Sequence, residues 1–406
     1  MRKLGGAVIL MQANFKNLTY VVGNEKTIEA MISAKPMTPF CDEVIKFLDI
    51  LSKKLMKEGK GYSDVATFGF WCRRAALLKE KAKYDDLDFR LGRGIIFHST
   101  PSNVPVNFAF SFASALLAGN ASIVRLPGKD FGQVDIICDC INELLKEECC
   151  DLSNYICMVK YPSDKEITDF MSSICDTRVI WGGDLTIEEI RKSSLKPRAN
   201  EITFADRYSI AVINSDEYLK MENKENITNN FYNDTYFSDQ NACTSPRIIV
   251  WIGNQKENAK KIFWENIHKM VKEKYNLRPV QSVGKLTALF KVASQHAVKL
   301  ADQEDQFITR VKVDNLFKTL MNYKYNSGFF FEYDANKLEE ILPLCDNKCQ
   351  TLTYLGLSSS EIKDFFVNCR PYGIDRAVPI GKSMDFDLVW DGYDLIRSLS
   401  RKFNII

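Results

Sequence analysis

Short apolar segments alternate with helical patterns along the chain between residues 94 and 213. The apolar segments are GIIFHS (94–99), ASIVRLP (121–127), YICMVKYP (155–162), TRVIWGG (177–183) and YSIAVI (208–213). Apolar residues at helical spacing fill 105–119, 130–148, 166–174 and 186–195. Strands that are apolar on both faces and alternate with helices are typical of a parallel sheet covered by helices on both sides. The sequence therefore predicts an α/β fold.

The segments on either side of this alternation divide the chain further. Residues 12–90 are mainly helical in pattern, as in PFCDEVIKFLDILSKKLMKEG (39–59). After residue 214, a second αβ region contains strands near 247–252 and 328–333 and a long helix near 255–275. The predicted divisions are a helical N-terminal part (1–90), a ligand-binding core (91–214), a second αβ domain (215–372) and a loop-rich return segment (373–406).

Composition excludes several classes of protein. The 406 residues carry 54 basic and 52 acidic side chains, so a net charge of +2 gives no reason to expect nucleic-acid binding. No apolar run approaches the roughly 18–20 residues that span a bilayer. The first residues, MRKLGGAVILMQ, lack a signal-peptide cleavage pattern, and we expect no signal peptide.

The twelve cysteines have no regular spacing, and no histidine accompanies them at zinc-site spacing. We therefore expect neither a disulfide framework nor a metal site. A reducing, cytoplasmic compartment fits this cysteine usage best.

Parallel sheets bind ligands beyond the carboxyl ends of their strands, so the loops after residues 99, 127 and 183 are the places to search. In STPSNVPVNFAF (99–110), Pro101 and Pro105 stiffen the loop around Asn103. The Asn103 amide would either donate to an oxyanion or cap the following helix, and this stretch alone favours the cap.

Two further strand ends carry candidate cofactor contacts. Arg125 and Lys129 in NASIVRLPGKD (120–130) would hold a ribose or its phosphate, or would simply form a charged turn. Gly182 and Gly183 in VIWGGDLTIEEI (179–190) would let a cofactor approach the backbone. No G-x-G-x-x-G motif follows any of the strands.

Cys243 stands between small polar residues and an apolar strand in FSDQNACTSPRIIVWIG (237–253). A cysteine in this setting is a candidate nucleophile, because the thiolate is the reactive form and needs a polar, accessible site.

Taken in order, PSNVP (101–105), IVRLP (123–127), WGG (181–183) and QNACTSPR (240–247) resemble four motifs of the aldehyde dehydrogenase superfamily. Those motifs are a Pro-x-Asn-x-Pro loop, a Val-x-Lys-Pro strand end, a Phe-Thr-Gly-Ser strand end and a Gly-Gln-x-Cys segment. Within the superfamily, the chain is most similar to the long-chain fatty acyl reductases of bacterial luciferase operons. That likeness is carried by DRYSIAVI (206–213), CTSPRIIVW (243–251), CQTLTYLG (349–356) and GIDRAVPIGKSMDFDLVWDGYD (373–394).

The resemblance implies an aldehyde-dehydrogenase-like fold, with a Rossmann-type cofactor domain and an αβ catalytic domain. It implies that Cys243 is the nucleophile and that Asn103 is the oxyanion donor. Arg125 resembles the ribose-binding Lys of the family, and the strand end Trp181–Gly183 resembles the segment beneath the dinucleotide. Arg125 and Lys129 supply cations where a 2′-phosphate would sit, which favours NADPH over NADH, although Asp130 argues against it.

The implied activity is NADPH-dependent reduction of a fatty acyl thioester, either acyl-CoA or acyl-protein, to fatty aldehyde through acyl-Cys243. An acyl-protein synthetase or transferase is the implied partner, and a homo-oligomer the implied assembly. Alternatives are a CoA-acylating aldehyde dehydrogenase for shorter chains, a non-redox cysteine acyltransferase or thioesterase, and a non-catalytic scaffold.

The chain departs from the oxidising members of the superfamily. Their Glu-Leu-Gly-Gly motif, whose Glu activates water, aligns with TFADRYSIAVI (203–213) and places Thr203 at the Glu position. Threonine is no base near neutral pH, and Glu201 is the fallback base if the strand extends back. The motif that holds the nicotinamide ribose is not found. His98 would be a structural histidine or a proton shuttle, and NFAFSF (107–112) would be helix core or the wall of an acyl tunnel.

Overall fold

The computed structural model describes residues 15–101, 104–302 and 304–406. The chain divides into two compact units. Unit 1 extends to Ala205 and also contains Leu388–Ile406, and unit 2 is the continuous stretch Asp206–Asp387.

Unit 1 contains a six-stranded sheet in the order β1-β5-β4-β3-β6-β7. The bounds are β1 Thr19–Val22, β3 Ile95–Ser99, β4 Ala121–Arg125, β5 Ile156–Lys160, β6 Thr177–Trp181 and β7 Asn200–Phe204. Strand β1 is antiparallel to β5, and the other neighbours are parallel. Strands β3 and β6 are buried along their whole length, as expected for a parallel sheet covered on both faces.

The helices of unit 1 lie between β1 and β3 or connect the parallel strands of the sheet. They are α1 Glu25–Ser33, α2 Asp42–Glu58, α3 Ser63–Trp71, α4 Arg74–Lys81, α5 Asn107–Leu117, α6 Gly132–Glu147, α7 Lys165–Ile174 and α8 Asp184–Arg191, with 3₁₀ turns at Leu87–Phe89 and Cys150–Leu152. The helix predicted over 39–59 is confirmed as α2, and the four connecting helices are confirmed as α5 to α8. The aromatic residues of α5 lie in packed core, since Phe108 and Phe112 are fully buried and Phe110 contacts the rings of Phe68 and Trp71 edge-on.

Unit 2 contains a seven-stranded sheet in the order β10-β11-β12-β9-β8-β13-β14. The strands are β8 Tyr208–Asn214, β9 Pro246–Ile252, β10 Val298–Leu300, β11 Thr309–Val313, β12 Phe329–Asp334, β13 Cys349–Leu355 and β14 Arg376–Pro379. Among the described strands of this sheet, β10 is antiparallel to its neighbour β11, and all other neighbouring pairs are parallel. The predicted strands near 247–252 and 328–333 are confirmed as β9 and β12.

Helices cover both faces of this second sheet. They are α9 Ser215–Lys220, α10 Lys224–Asp234, α11 Lys256–Lys274, α12 Pro279–Ala293 and α13 Ser359–Cys369, with 3₁₀ turns at Tyr236–Ser238, Leu320–Tyr323 and Leu338–Leu344. Alternate residues of β8 enter two separate cores: Ile210 and Val212 pack in one, and Ala211 and Ile213 in the other. The continuous apolar pattern of this strand therefore follows from burial on both faces.

The unit boundaries differ from the predicted divisions at 214 and 372. Strand β8 pairs with β9 and β13, so unit 2 begins before this strand rather than after it. The strand predicted at 208–213 is β8, and it does not extend back to Glu201, which lies in the separate strand β7. Strand β14 also belongs to unit 2, and the return to unit 1 begins at Leu388.

The segment after Leu388 forms β15 Val389–Trp390, β16 Tyr393–Asp394, α14 Leu395–Leu399 and β17 Ser400–Lys402. Strand β17 pairs antiparallel with β2 Arg90–Gly92. Among the described residues, no helix is both long enough and apolar enough to cross a membrane.

Asn120 connects this returning segment to the first sheet. Its Oδ1 accepts hydrogen bonds from the backbone N–H groups of Arg93 (2.6 Å) and Gly94 (3.2 Å). Its Nδ2 donates to the carbonyls of Ala115 (3.0 Å) and Leu399 (2.9 Å). Because the side chain is fully buried, water would not replace these partners.

We predict that Asn120→Ala lowers the free energy of unfolding by about 3 kcal/mol or more, because it leaves buried backbone groups without partners. Urea denaturation measures the change. The control is Asn142→Ala, since half-buried Asn142 makes one such bond, to the carbonyl of Val21 (2.8 Å). Equal losses in the two variants would contradict the role given to Asn120.

Candidate active site

The loops after β3, β4 and β6 leave the same edge of the unit 1 sheet. The three strands are parallel, and β3 lies between β4 and β6. The connection order reverses beside β3, and such a reversal opens a crevice at the carboxyl ends of the strands. The loops singled out in the sequence therefore flank the switch point of this sheet.

Asn103 lies outside the described residues, and its convergence with Cys243 stays a prediction. Its loop begins in a defined place, since the Thr100 hydroxyl donates to the carbonyl of Arg125 (2.6 Å) at the end of β4. His98 is fully buried, with Nδ1 2.8 Å from the hydroxyl of Ser111. Burial lowers the pKa of His98 to about 3, so the ring is neutral near pH 7, which favours the structural alternative over the proton shuttle.

The cations predicted to contact the cofactor lie at the carboxyl end of β4. The Arg125 guanidinium is 4.3 Å from the centre of the Tyr161 ring and donates to the carbonyls of Tyr161 (3.3 Å) and Pro162 (3.1 Å). Lys129 is exposed to solvent. The neighbouring Asp130 pairs with Lys160 at 3.1 Å, so a second lysine reduces its negative charge. The net charge of this strand end is positive.

The end of β6 presents its backbone rather than its tryptophan side chain. Trp181 is 7% exposed, donates from Nε1 to the Ser111 hydroxyl (3.0 Å) and stacks on Phe204 at 3.6 Å. Gly183 precedes α8, and among the described atoms none lies within 4 Å of the place where its Cβ would be. The Trp181 indole therefore supports the strand end from within, and the open surface is at Gly183.

Cys243 lies in unit 2, half-buried, in the loop that leads into β9. Its backbone carbonyl accepts a hydrogen bond from the buried Ser209 hydroxyl (2.7 Å) in β8. The next two residues, Thr244 and Ser245, are buried. The thiol is therefore attached to a fixed backbone. The other eleven cysteines are free thiols.

A strained turn precedes Cys243. Asp239 and Gln240 have φ values of +52° and +53°, in the left-handed region that costs a residue other than glycine roughly 1–3 kcal/mol. Gln240 occupies the position of Gly in the Gly-Gln-x-Cys motif, where left-handed backbone is easily adopted. Its buried side chain accepts from the backbone N–H of Gly328 (2.7 Å), which holds the turn in place.

The Asp239 carboxylate secures the turn from the other side. It accepts hydrogen bonds from the Gln281 amide (2.9 Å) and from the Tyr275 hydroxyl. Such strain persists only where the surrounding structure over-determines it, and it is concentrated at functional sites.

Arg247, which the sequence analysis did not single out, lies four residues after Cys243. Between the β8 partners Ser209 and Ile210, β9 advances from Pro246 to Ile248, so Arg247 is an extra residue in β9. Bulges of this kind redirect a side chain next to active sites. Arg247 is 6% exposed. Its guanidinium donates to the carbonyls of Gln240 and Tyr325 (3.0 Å).

Burial lowers the pKa of Arg247 to about 10, while attraction to Cys243, Asp206 and Asp239 acts in the opposite direction. The guanidinium thus stays protonated at neutral pH. The same attraction favours the thiolate form of Cys243, which is the nucleophilic form. An Arg inside an otherwise apolar strand, PRIIVWI, was the signal in the sequence for this residue.

Glu201, the fallback base, serves a structural purpose in unit 1. Its Oε2 accepts from the buried Arg178 (Nε, 2.9 Å) and its Oε1 from Arg191 (2.7 Å). The Glu201 carboxylate is the counter-ion of the buried Arg178 guanidinium. To activate water as a base, Glu201 would have to break this ion pair and leave the guanidinium unpaired.

A family model described as acyl-CoA reductase (LuxC) matches residues 74–308. The match covers more than half of the chain. The chain belongs to the acyl-CoA reductase (LuxC) family.

Comparison with individual proteins agrees with this family. The long-chain acyl-protein thioester reductase of Vibrio harveyi is 22% identical over 358 residues, which is 80% of this chain and 70% of that protein. Solved structures with a similar fold include an NAD-dependent benzaldehyde dehydrogenase from Corynebacterium glutamicum, at TM-score 0.61 and 11% identity over 96% of this chain and 94% of that one. A methylmalonate-semialdehyde dehydrogenase from Oceanimonas doudoroffii has TM-score 0.62 and 12% identity over 93% and 89%. The aldehyde-dehydrogenase-like fold predicted for this family member is confirmed.

We predict that Arg247→Met lowers the free energy of unfolding by about 3 kcal/mol, because it removes the donors to two loop carbonyls. It should also slow alkylation of Cys243 by iodoacetamide near neutral pH, because the nearby cation is lost. Mass spectrometry of the Cys243 peptide gives the labelling rate.

The matched control is Arg310→Met, which removes a half-buried arginine that pairs with Glu332 (3.4 Å) in the same unit. This control should lose stability and keep the Cys243 labelling rate. If the two variants label equally, Arg247 has no electrostatic effect on the thiol.

Proposed function

We propose that this LuxC-family protein reduces a long-chain fatty acyl thioester, acyl-CoA or acyl-protein, to the fatty aldehyde with NADPH through an acyl-Cys243 intermediate. The observation that carries the proposal is the Cys243 loop, in which a half-buried thiol lies in the field of the buried Arg247 guanidinium. A thiol attracted by a buried cation when ionised, on a backbone fixed by Ser209, is equipped to attack a carbonyl.

The residues of unit 1 fit a nicotinamide dinucleotide. The backbone at Gly183 is open where a Cβ would otherwise project. Arg125 and Lys129 bring positive charge to the neighbouring strand end, where a ribose 2′-phosphate is accommodated in proteins of this architecture. This charge supports NADPH over NADH, and the pairing of Asp130 with Lys160 weakens the argument against it. When bound, the reduced nicotinamide supplies the hydride.

The first step needs only the chain and its substrate. The Cys243 thiolate attacks the acyl carbonyl, the bond from that carbonyl to the carrier sulfur breaks, and the carrier leaves as a thiol after taking a proton from solvent. The Asn103 amide and the Cys243 backbone N–H would stabilise the oxyanion, a contribution typically worth about 3–4 kcal/mol for each donor. The product of this step is acyl-Cys243.

In the second step, Cys243 would hold the acyl carbonyl so that, with the cofactor bound, its carbon could receive the hydride and its oxygen a proton from solvent. The hemithioacetal then collapses, the C–S bond breaks, and Cys243 recovers its thiol as the aldehyde leaves. The two candidate base positions support this route: Thr203 stands where the oxidising members of the superfamily have Glu, and Glu201 is bound to Arg178 and Arg191. An acyl-enzyme without such a base persists until it is reduced.

The carrier and the assembly are part of the proposal. The Vibrio harveyi relative is called an acyl-protein thioester reductase, which supports an acyl-protein substrate delivered by an acyl-protein synthetase or transferase, and we propose a homo-oligomer. Eleven free thiols support a reducing compartment such as the cytoplasm.

We predict that Cys243→Ala abolishes both labelling by a radiolabelled fatty acyl-CoA and aldehyde formation, with a loss of roughly 10³-fold or more. Label on the wild-type protein should map to the Cys243 peptide and be discharged as aldehyde when NADPH is added. The control is Cys150→Ala, because Cys150 is an exposed thiol in unit 1.

Aldehyde formation by Cys243→Ala would refute the covalent route. Labelling that NADPH does not discharge would instead favour a non-redox acyltransferase or thioesterase. Hexadecanoyl-CoA should support faster NADPH oxidation than acetyl-CoA, and the reverse order would favour the CoA-acylating dehydrogenase.

We predict that Lys129→Met raises the KM for NADPH roughly fivefold and leaves the KM for NADH unchanged, since an exposed lysine–phosphate pair is worth at most about 1 kcal/mol. Steady-state kinetics with both cofactors provide the measurement. Lys165→Met is the control, because Lys165 is an exposed lysine of unit 1 that pairs with Asp169. Equal changes for NADPH and NADH would remove Lys129 from phosphate recognition.

A further inference from the structure

Asp234, at the end of α10, is a buried carboxylate to which the proposed chemistry gives no part. The residue is 1% exposed. Its Oδ2 accepts from the backbone N–H of Gly381 (2.6 Å), and its Oδ1 from that of Ser383 (3.1 Å). A buried carboxylate is costly unless it is hydrogen-bonded, so both oxygens are used to hold one short segment.

This segment, residues 380–385, follows β14 and has no regular secondary structure. Gly381 has φ +96°, and a Cβ there would lie 2.5 Å from the Asn230 side chain, so the segment packs closely against α10. Arg376 donates to the carbonyls of Lys382 (3.0 Å) and Ser383 (2.8 Å). An anion thus binds the N–H groups of the segment, and a cation binds its carbonyls.

The segment reaches the residue next to the nucleophile. The hydroxyl of Thr244, which is buried, lies 3.3 Å from the sulfur of Met384 and donates to it. Met384 is 40% exposed, so its remaining surface faces solvent. A continuous set of contacts therefore runs from Asp234 through the 380–385 segment to Thr244, one residue after Cys243.

We propose that Asp234 is a positioning residue for acylation of Cys243, acting by holding the 380–385 segment so that Met384 braces Thr244. The proposal rests on the proposed function only in that Cys243 is the acylated residue. Displacement of a reacting group by about 1 Å can cost a hundredfold in rate, so a brace next to the nucleophile has kinetic consequences.

The ionisation of Asp234 makes the proposal testable by pH. Burial raises the pKa of Asp234 from 3.8 to about 6; the N–H groups of Gly381 and Ser383 lower it, and Asp385 raises it further. Three charged groups belong to β14 and the 380–385 segment: Arg376 donates to the segment's carbonyls, and Lys382 pairs with Asp385 at 2.9 Å. Below this pKa, the protonated carboxyl loses one acceptor, and the segment loses part of its anchor.

The effect on stability has the opposite sign. A carboxyl with a raised pKa in the folded state favours folding when protonated, and that contribution is lost as pH rises through about 6. Acidification to pH 5 therefore does not destabilise the fold through Asp234. If the acylation rate falls at acid pH only when Asp234 is present, the fall therefore reflects lost positioning of the segment and not unfolding of the protein.

The test compares Asp234→Asn with wild type in cofactor-free acylation by radiolabelled hexadecanoyl-CoA, between about pH 5 and pH 8. Wild type should lose rate as pH falls through about 6. The variant should acylate about tenfold more slowly at pH 7.5, without that acid limb, because its amide cannot accept both N–H groups. NADPH binding, followed by fluorescence, should be unchanged.

Asp216→Asn is the matched control. The Asp216 carboxylate also accepts backbone N–H groups, from Asn254 and Gln255, at the opposite end of β9. This variant should acylate at the wild-type rate with the wild-type pH profile.

A wild-type rate and pH profile in Asp234→Asn would overturn the proposal, as would an equal loss in Asp216→Asn. If Asp234→Asn does not fold, Met384→Ala decides: slower acylation supports the brace, and an unchanged rate overturns it. Failure of the proposed function would be distinct, because Cys243→Ala would then still accept the label.

Discussion

The buried guanidinium of Arg247 is the interaction on which the Cys243 loop depends. The carbonyls of Gln240, in the turn before Cys243, and of Tyr325, in a second loop, lie outside the strands and need hydrogen-bond donors from elsewhere. One side chain that carries several N–H donors in a fixed plane satisfies both, and it remains charged while buried. The left-handed backbone at Asp239 and Gln240 is maintained only while these partners are present. The same cation attracts the thiolate, so a single residue links the shape of the loop to its reactivity.

The local pattern of apolar residues was sufficient to predict the buried strands of the fold. Strands β3, β4, β6, β8 and β9 are apolar because both of their faces are covered, and that constraint is visible in the sequence. Strand β7 was not recognised, because an edge strand tolerates polar residues and here includes Asn200 and Glu201. Strand β8 was assigned to the wrong side of a boundary, because its partners β9 and β13 are distant in sequence.

The candidate site divides in the same way. The positions of Arg125 and Gly183 at the edge of the sheet could be predicted, because a strand end is a local feature whose place follows from topology, and their contact with a cofactor stays a prediction. The direction of a side chain is not local: the Trp181 indole is directed toward Ser111 and Phe204, within the unit. Arg247 depends on an extra residue in β9, and Asp234 depends on a segment about 150 residues later in the chain. Neither arrangement leaves a periodic pattern in the sequence.

The discontinuity of unit 1 has a consequence for how the protein is made. Residues 206–387 form a continuous insertion, whereas the β2–β17 pair and the hydrogen bond from Asn120 to the carbonyl of Leu399 join residues separated by the whole of that insertion. On the ribosome, unit 2 is complete before β17, the partner of β2, and Leu399, the last partner of Asn120, have emerged. Unit 1, although it begins first in the sequence, is therefore the last to acquire its full set of backbone partners, and β2 lacks its partner strand while unit 2 is synthesised.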